Sequence, residues 1–156
     1  MTKSKHNHDR KIDLDQLIGA VQEMSKARGE RMTSVRCDVL AALVHLREPQ
    51  GAYSILAEVN KKRKTKLSAM SLYRTLHFLI ELGVVIKLDS QNSYKLCADH
   101  AHDHGHLMIV CDGCGDTKEV ADSVAMEKLQ NLVRHYGYTP KHHVVELHSV
   151  CAACHG

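Results

Sequence analysis

The sequence contains no tryptophan and a single phenylalanine among 156 residues, so its core must be built mainly from aliphatic side chains. No apolar run approaches the roughly 18 residues that span a bilayer, and no membrane association is expected. The N-terminal stretch through Lys11 is polar and charged, with His6 and His8 but no apolar segment. That composition predicts a disordered tail over residues 1–12, no secretory signal and a cytoplasmic protein. Internal repeats and heptad arrays are missing. So are His-Glu-x-x-His and the His-x-Glu with Pro-Cys-x-x-Cys of nucleoside deaminases. No enzyme, catalytic residue or small-molecule substrate is therefore expected.

What the chain does have is thirteen histidines and six cysteines. Nine of those histidines and five of those cysteines lie at or beyond Cys97. In a reducing compartment such a concentration points to metal ligation before disulfides. Charge is also divided unevenly. Residues 1–97 carry 17 Lys+Arg against 10 Asp+Glu, a balance of +7, and residues 98–156 carry 4 against 8, a balance of −4, giving the net +3. A basic half implies a polyanionic partner, and the other half implies a different task.

Element signals support that division. Leu14, Leu17, Ile18, Val21 and Met24 follow helical spacing behind a capping Asp13. A second helix opens at Thr33, with Val35, Val39, Leu40, Leu43 and Leu46 inward, and ends at 49–51. A short third helix follows Tyr53 and Ser54, and runs into Lys61, Lys62, Arg63, Lys64 and Lys66. Ser68 caps a fourth, with Leu72, Leu76, Leu79 and Ile80 inward and Gly83 as its stop. Residues 84–97 read as a hairpin. Helices followed by a hairpin form a winged-helix pattern, which predicts a DNA-binding domain over 13–97.

After a histidine-bearing linker and metal loop at 98–105, the elements change type. Strands are expected at 106–111, 117–120 and 142–150, with a helix from Ser123 to Tyr136 presenting Leu129, Leu132, Val133 and Tyr136 on one side. The whole is α+β: a winged-helix domain followed by a small α/β domain at 106–156. About 50 residues is marginal for an independent core, so this second domain needs metal or a partner chain.

Cys111 and Cys114 form one Cys-x-x-Cys knuckle, and Cys151 and Cys154 form another, with 36 residues between them. Two such turns suit a closed tetrahedral zinc site, which is structural because no coordination position is left open. Cys151 to His155 also fits the c-type haem signature, but that reading leaves Cys111 and Cys114 unexplained. Cys97, His100, His102, His104, His106 and Glu119 supply a second, mixed donor set. Thiolate softness favours zinc there, and filling it is expected to act as a clamp between the domains. His45, His77 and His135 fall on helices and read as packing or surface residues.

In the fourth helix the sequence places Ser71, Arg74, Thr75 and Phe78 on a stripe beside the apolar face. Arg74 there can form a bidentate pair with guanine. Tyr53 and Tyr73 can meet phosphate or a thymine methyl, and the Lys/Arg run supplies salt-sensitive phosphate attraction.

Leu72-Tyr73-Arg74-Thr75-Leu76 resembles the Val-Tyr-Arg-x-Leu recognition motif of the ferric uptake regulator (Fur) family. The segment from Met32 to Arg36 resembles that family's Leu-Thr-x-x-Arg. A His-x-His run followed by Cys-x-x-Cys-Gly, with a second Cys-x-x-Cys near the C-terminus, extends the resemblance over nearly all of residues 13–154. Asn92 to Cys97, the Cys111–Gly115 knuckle and Leu147 to Cys154 are most similar to the zinc-sensing branch.

The resemblance implies a homodimeric, zinc-responsive repressor of zinc-uptake genes that binds double-stranded operator DNA. Two Zn2+ per subunit are implied: a structural ion at Cys111, Cys114, Cys151 and Cys154, and a regulatory ion at Cys97, His104 and Glu119. Ile86 stands where a family histidine can serve as ligand, so the fourth regulatory ligand is taken as His106, with His102 or His100 next. Tyr53 and Arg74 match positions that touch DNA bases, and Ser71 and Tyr73 complete the expected DNA-binding set. His143 matches a position of another family metal site. The alternative within the family is a sensor of iron, manganese or peroxide.

Overall fold

The computed structural model describes residues 12–97, 105–120, 122–140 and 144–155. The predicted tail, apart from Ile12, and the predicted metal loop, apart from Gly105, lie outside the described residues. The chain divides into two compact units, residues 1–97 and 98–156.

The first unit holds four helices and a three-stranded sheet. Helix α1 (Leu14–Ala27) opens where the Asp13 carboxylate accepts the N–H groups of Asp15 and Gln16 at 3.0 and 3.3 Å. Thr33 caps α2 (Ser34–Leu46) by accepting the Arg36 N–H at 3.3 Å, and Ser68 caps α4 (Ala69–Glu81) by accepting the Ser71 N–H at 3.2 Å. These short side chains satisfy donors that the first helical turn leaves without partners. Gly83 follows α4 with φ of 73°, a left-handed conformation that stops the helix and that a side chain would strain.

Strand β1 (Gln50–Gly51) was not expected from the sequence, which marks these residues only as a helix stop. It pairs antiparallel with β3 (Ser93–Leu96), Gln50 opposite Tyr94, and β3 in turn pairs antiparallel with β2 (Val85–Leu88). Helix α3 (Ala52–Lys62) starts directly after β1, so Tyr53 lies inside its first turn rather than before it. Val21, Leu40, Ile55, Leu72, Leu76 and Leu79 are almost fully buried at the centre of this unit, an aliphatic core as the composition requires.

The turn from α3 to α4 is held by side chains that the sequence suggested were for phosphate. Arg63 pairs with Asp38 on α2 and donates from Nε to the Thr65 carbonyl at 3.2 Å. Lys66 donates to the Asn60 carbonyl at 2.6 Å, and Asn60 Oδ1 accepts the Leu67 N–H at 2.7 Å. Lys61 donates to Glu58 at 2.6 Å. Only part of the basic run is therefore left to attract a polyanion, while Arg63 and Lys66 hold the turn between the two helices and Lys61 pairs within α3.

In the second unit, β4 (His106–Cys111) is the central strand. It pairs antiparallel with β5 (Thr117–Val120) and parallel with β6 (Val144–Ser149), in the order β5-β4-β6. The parallel pairing requires a crossover, which α5 (Ser123–His135) supplies. Asp122 caps that helix by accepting the Ala125 N–H at 2.9 Å. Leu107, Met108, Val110 and Met126 are buried. Leu129, Leu132, Val133 and Tyr136, together on one side as predicted, are exposed.

Glu58 gives the first unit a pH signature. The Lys61 hydrogen bond holds its carboxyl below the usual carboxylate range, with further help from His45 and Lys62. A depressed folded-state value means its stabilisation is complete above the unfolded value of about 4.3 and is lost as pH falls through the folded value. Thermal melts of wild type and Glu58→Gln should therefore differ most near neutrality and converge toward pH 3.

Candidate metal centre and nucleic-acid interface

Parallel pairing of β4 with β6 sets Cys111 opposite Ser149 at the same end of the sheet. The two knuckles leave the sheet from those neighbouring strand ends. Asp112 N–H donates to the Ser149 carbonyl and Gly115 N–H to the Cys111 carbonyl, both at 2.8 Å. On the other knuckle, Cys154 N–H donates to the Cys151 carbonyl at 2.9 Å. The sulfurs of Cys111, Cys114, Cys151 and Cys154 all lie within 4.8 Å of one another.

These positions fit a tetrahedral ion. Zn–S bonds of about 2.3 Å require sulfur–sulfur edges of about 3.8 Å, and Cys114 Sγ stands 3.8 Å from Cys151 Sγ. The Cys151 N–H donates to Cys111 Sγ at 3.2 Å. With the Cys114 and Gly113 amides, it brings the Cys111 thiol down to about 6, favouring the thiolate that binds metal. The neighbouring Cys151 and Cys114 side chains push Cys154 up to about 12. Sulfurs packed this closely can all be thiolates only with a cation between them.

Gly113 sets the closeness of the knuckles. A Cβ built there would stand 2.9 Å from Cys154 Cβ and 3.0 Å from its sulfur. A pair with no local sequence signal lies beside the cluster, where His148 Nδ1 meets Asp112 at 2.7 Å across a separation of 36 residues. Hydrogen bonding to Asp112 raises the His148 value.

Of the second predicted ligand set, His106 on β4 and Glu119 on β5 are neighbours on the sheet, with Nδ1 and Oε1 at 2.9 Å and both side chains largely buried. The β4–β5 register explains this: Met108 faces Glu119, so His106, two residues earlier on the same face, is its diagonal neighbour. Cys97 directly follows β3, and its N–H donates to the Val84 carbonyl at 2.9 Å. His104, with the alternatives His100 and His102, and the family-matched His143 lie outside the described residues.

The fourth-helix stripe inferred from the sequence needs correction. Thr75 and Phe78 are both 5% exposed and belong to the core. Thr75 donates its hydroxyl to the Ser71 carbonyl at 3.0 Å, and the Arg36 guanidinium covers the Phe78 ring, 3.2 Å from its centroid. Arg36 also donates to the Arg31 carbonyl at 2.6 Å and pairs with Glu30 at 2.8 Å, tying the entry of α2 to α4. Ser71 is half-buried, its hydroxyl accepting from the Ser68 hydroxyl at 3.0 Å within the helix cap. The exposed stripe of α4 runs instead through Met70, Tyr73, Arg74 and His77. Tyr53, at the start of α3, is also exposed.

The ferric uptake regulator family model matches residues 27–148. The chain belongs to this family. It is 31% identical over 147 residues to the zinc uptake regulation protein of Escherichia coli strain K12, covering 92% of this chain and 84% of that protein. The ferric uptake regulation protein of Bacillus subtilis strain 168 is 31% identical over 100 residues, 62% of this chain and 66% of that one. A solved zinc uptake regulator complexed with zinc and DNA matches with a TM-score of 0.77 at 30% identity, covering 92% of this chain and 95% of the other. Among the described residues, no helix is long and apolar enough to cross a membrane.

The tight approach at Gly113 has a measurable consequence. In Gly113→Ala the added methyl must push the second knuckle away, and overpacking of this kind costs about 1–3 kcal/mol. Competition with a chromophoric chelator should show zinc affinity at the four-sulfur cluster reduced about tenfold or more.

Proposed function

We propose that the chain is a zinc-responsive transcriptional repressor of zinc-uptake genes, acting in the cytoplasm as a homodimer on operator DNA. The observation that carries this reading is the joint presence of two features. One is a four-sulfur cluster of zinc dimensions. The other is a capped helix that exposes Tyr73 and Arg74 beside the basic α3–α4 turn. The likeness to a regulator bound to both zinc and DNA supports it further.

Each subunit holds two zinc ions in this reading. One sits among Cys111, Cys114, Cys151 and Cys154 and has a structural role. The other is regulatory and takes Cys97, His104, His106 and Glu119. The buried His106–Glu119 pair supports the second assignment, because a carboxylate beside an imidazole orients it and raises its basicity for a metal. A thiolate in this set favours zinc over iron or manganese. Zinc supplies charge and fixed geometry at both sites, and the side chains must arrive deprotonated, so occupancy falls with acid.

A homodimer is supported by what the second unit leaves uncovered. Val124, Leu132, Tyr136, Tyr138, Leu147 and Val150 are exposed, and among the described residues β6 lies at the edge of its sheet. Exposed apolar side chains and a sheet-edge strand both suit a second copy of the same chain. Two copies present two recognition helices, as paired half-sites require. On DNA, Arg74 reads base edges, with Tyr53, Tyr73 and Ser71 completing the contact surface. Lys62 and Lys64 attract phosphate.

The deciding experiment measures binding to a zinc-uptake promoter across a buffered zinc series, with sedimentation in parallel. Wild type should bind tightly only when zinc is supplied. Cys97→Ser should remain a folded dimer and lose the zinc response, whereas Cys114→Ser should unfold or monomerise the second unit. Equal binding by stripped and reloaded wild type would defeat the reading. Separately, Leu132→Asp should shift the sedimenting species from dimer to monomer, since a carboxylate at an apolar interface is left desolvated.

A further inference from the structure

We propose that Met70 and His77 are specificity-determining residues, reading the base pairs on either side of the one contacted by Arg74. This inference rests on the operator-binding reading and deepens it.

The helical wheel of α4 separates two arcs. At about 100° per residue, Met70, Tyr73, Arg74 and His77 fall within one arc of about 100°. Leu72, Thr75, Leu76, Phe78 and Leu79 are buried, while Ala69, Ser71 and Ile80 at the edges are half-buried and Glu81 at the helix end is exposed. The arc is thus continuous, and nothing from the core interrupts it. Seven residues at 1.5 Å each place Met70 and His77 about 10 Å apart along the axis, which is about three base-pair steps of 3.4 Å. Tyr73 and Arg74 lie between them, so the stripe is as long as a short run of bases.

Two of the few exposed apolar side chains of the first unit lie on this arc. Among that unit's described residues, the exposed large hydrophobics are Ile12 at the edge of the described segment, Tyr53, Met70 and Tyr73. Met70 is 66% exposed and Tyr53 77%. A methionine left in water at the start of a helix, one turn before the exposed Tyr73, makes an adaptable apolar tip. The chemical partner suited to it on a major-groove floor is the thymine C5-methyl. The surrounding charge is complementary to DNA: Arg74 lies within the stripe, and Lys62 and Lys64 are exposed on the turn before it.

His77 lies one turn beyond Tyr73 and Arg74, with its side chain 70% exposed. Its Nδ1 faces Glu81 at 3.6 Å, so Nε2 is the nitrogen that this carboxylate does not engage. At 3.6 Å Nδ1 makes no hydrogen bond to Glu81, so the ring can carry its proton on Nε2 and donate to a purine N7, an acceptor that both adenine and guanine present in the major groove. Met70 thus reads a thymine on the N-terminal side of the Arg74 contact, and His77 reads a purine on the C-terminal side.

The test uses full-length, zinc-loaded protein and a pool of randomised duplexes, selected in parallel by wild type, Met70→Ala, His77→Ala and Arg74→Ala. Because both side chains are exposed, far-UV thermal melts of Met70→Ala and His77→Ala should match wild type. Wild type should enrich one sequence pattern. Met70→Ala should lose preference at a single thymine column, and His77→Ala at a single purine column a few base pairs away. Each should bind the wild-type sequence about 5- to 10-fold more weakly, the scale of one mismatched base pair. Arg74→Ala should lose the column between them. If wild type enriches a pattern and the first two variants enrich the same pattern unchanged, the proposal is overturned while the operator reading stands. If wild type enriches nothing, the operator reading itself fails, and this one with it.

Discussion

The second unit depends on bringing four sulfurs to one point. Among its described residues the buried apolar side chains are few, chiefly Leu107, Met108, Val110 and Met126, and so small a core repays little of the entropy of ordering some 50 residues. Parallel pairing of β4 and β6 solves the geometric half of the problem, since it alone puts two knuckles from distant sequence at one sheet end. In the proposed reading a cation solves the energetic half, because it would turn the mutual repulsion of thiolates into attraction. In that reading the order of dependence is register first, then sulfur placement, then metal; the register also sets His106 against Glu119.

Much of this was legible in the sequence, for identifiable reasons. The bounds of β4 and β5 could be read because Cys111, Gly113 and Gly115 punctuate the turn between them. The helix starts at 14, 34 and 69 could be read because Asp13, Thr33 and Ser68 are capping side chains whose effect is local. Strand β1 could not, because two residues become a strand only through a partner more than forty positions later. The Asp112–His148 pair was hidden for the same reason. Of the two donor sets, the sulfur cluster was recoverable because each knuckle is itself a local pattern. The order of the histidines between residues 100 and 106 was not, because adjacent imidazoles in a polar run carry no periodicity.

The misreading of α4 is instructive in a different way. Helical spacing correctly identifies Leu72, Leu76 and Leu79 as inward, but it does not fix how wide the buried arc is. That width depends on what leans over its edge. Here Arg36 extends from α2 and lays its guanidinium on Phe78, a cation–π contact that carries the covered surface about a further third of a turn around the helix. The basic turn before α4 was misjudged in a related manner. Arginine and lysine are read from sequence as charge, whereas Arg63 and Lys66 act here as long hydrogen-bond donors to Asp38, Thr65 and Asn60. Their role is to aim the helix, and the charge available for phosphate resides in their exposed neighbours.

The two donor sets differ in a way that suits a division of labour. A closed cluster of four thiolates has no open coordination position and lies at the end of a sheet, so its occupancy is tied to folding. A site with that property cannot report a changing zinc level, because it is full whenever the unit is folded. A sensor needs a site that can empty while the fold persists, and the energy available for signalling is limited to the difference in metal affinity between binding-competent and incompetent states. Donors of mixed type, with one thiolate, imidazoles and a carboxylate, carry less negative charge and demand less deprotonation than four cysteines. They therefore suit a site whose filling tracks supply. In this reading the sulfur cluster builds the platform, and the set that includes His106 and Glu119 makes the measurement.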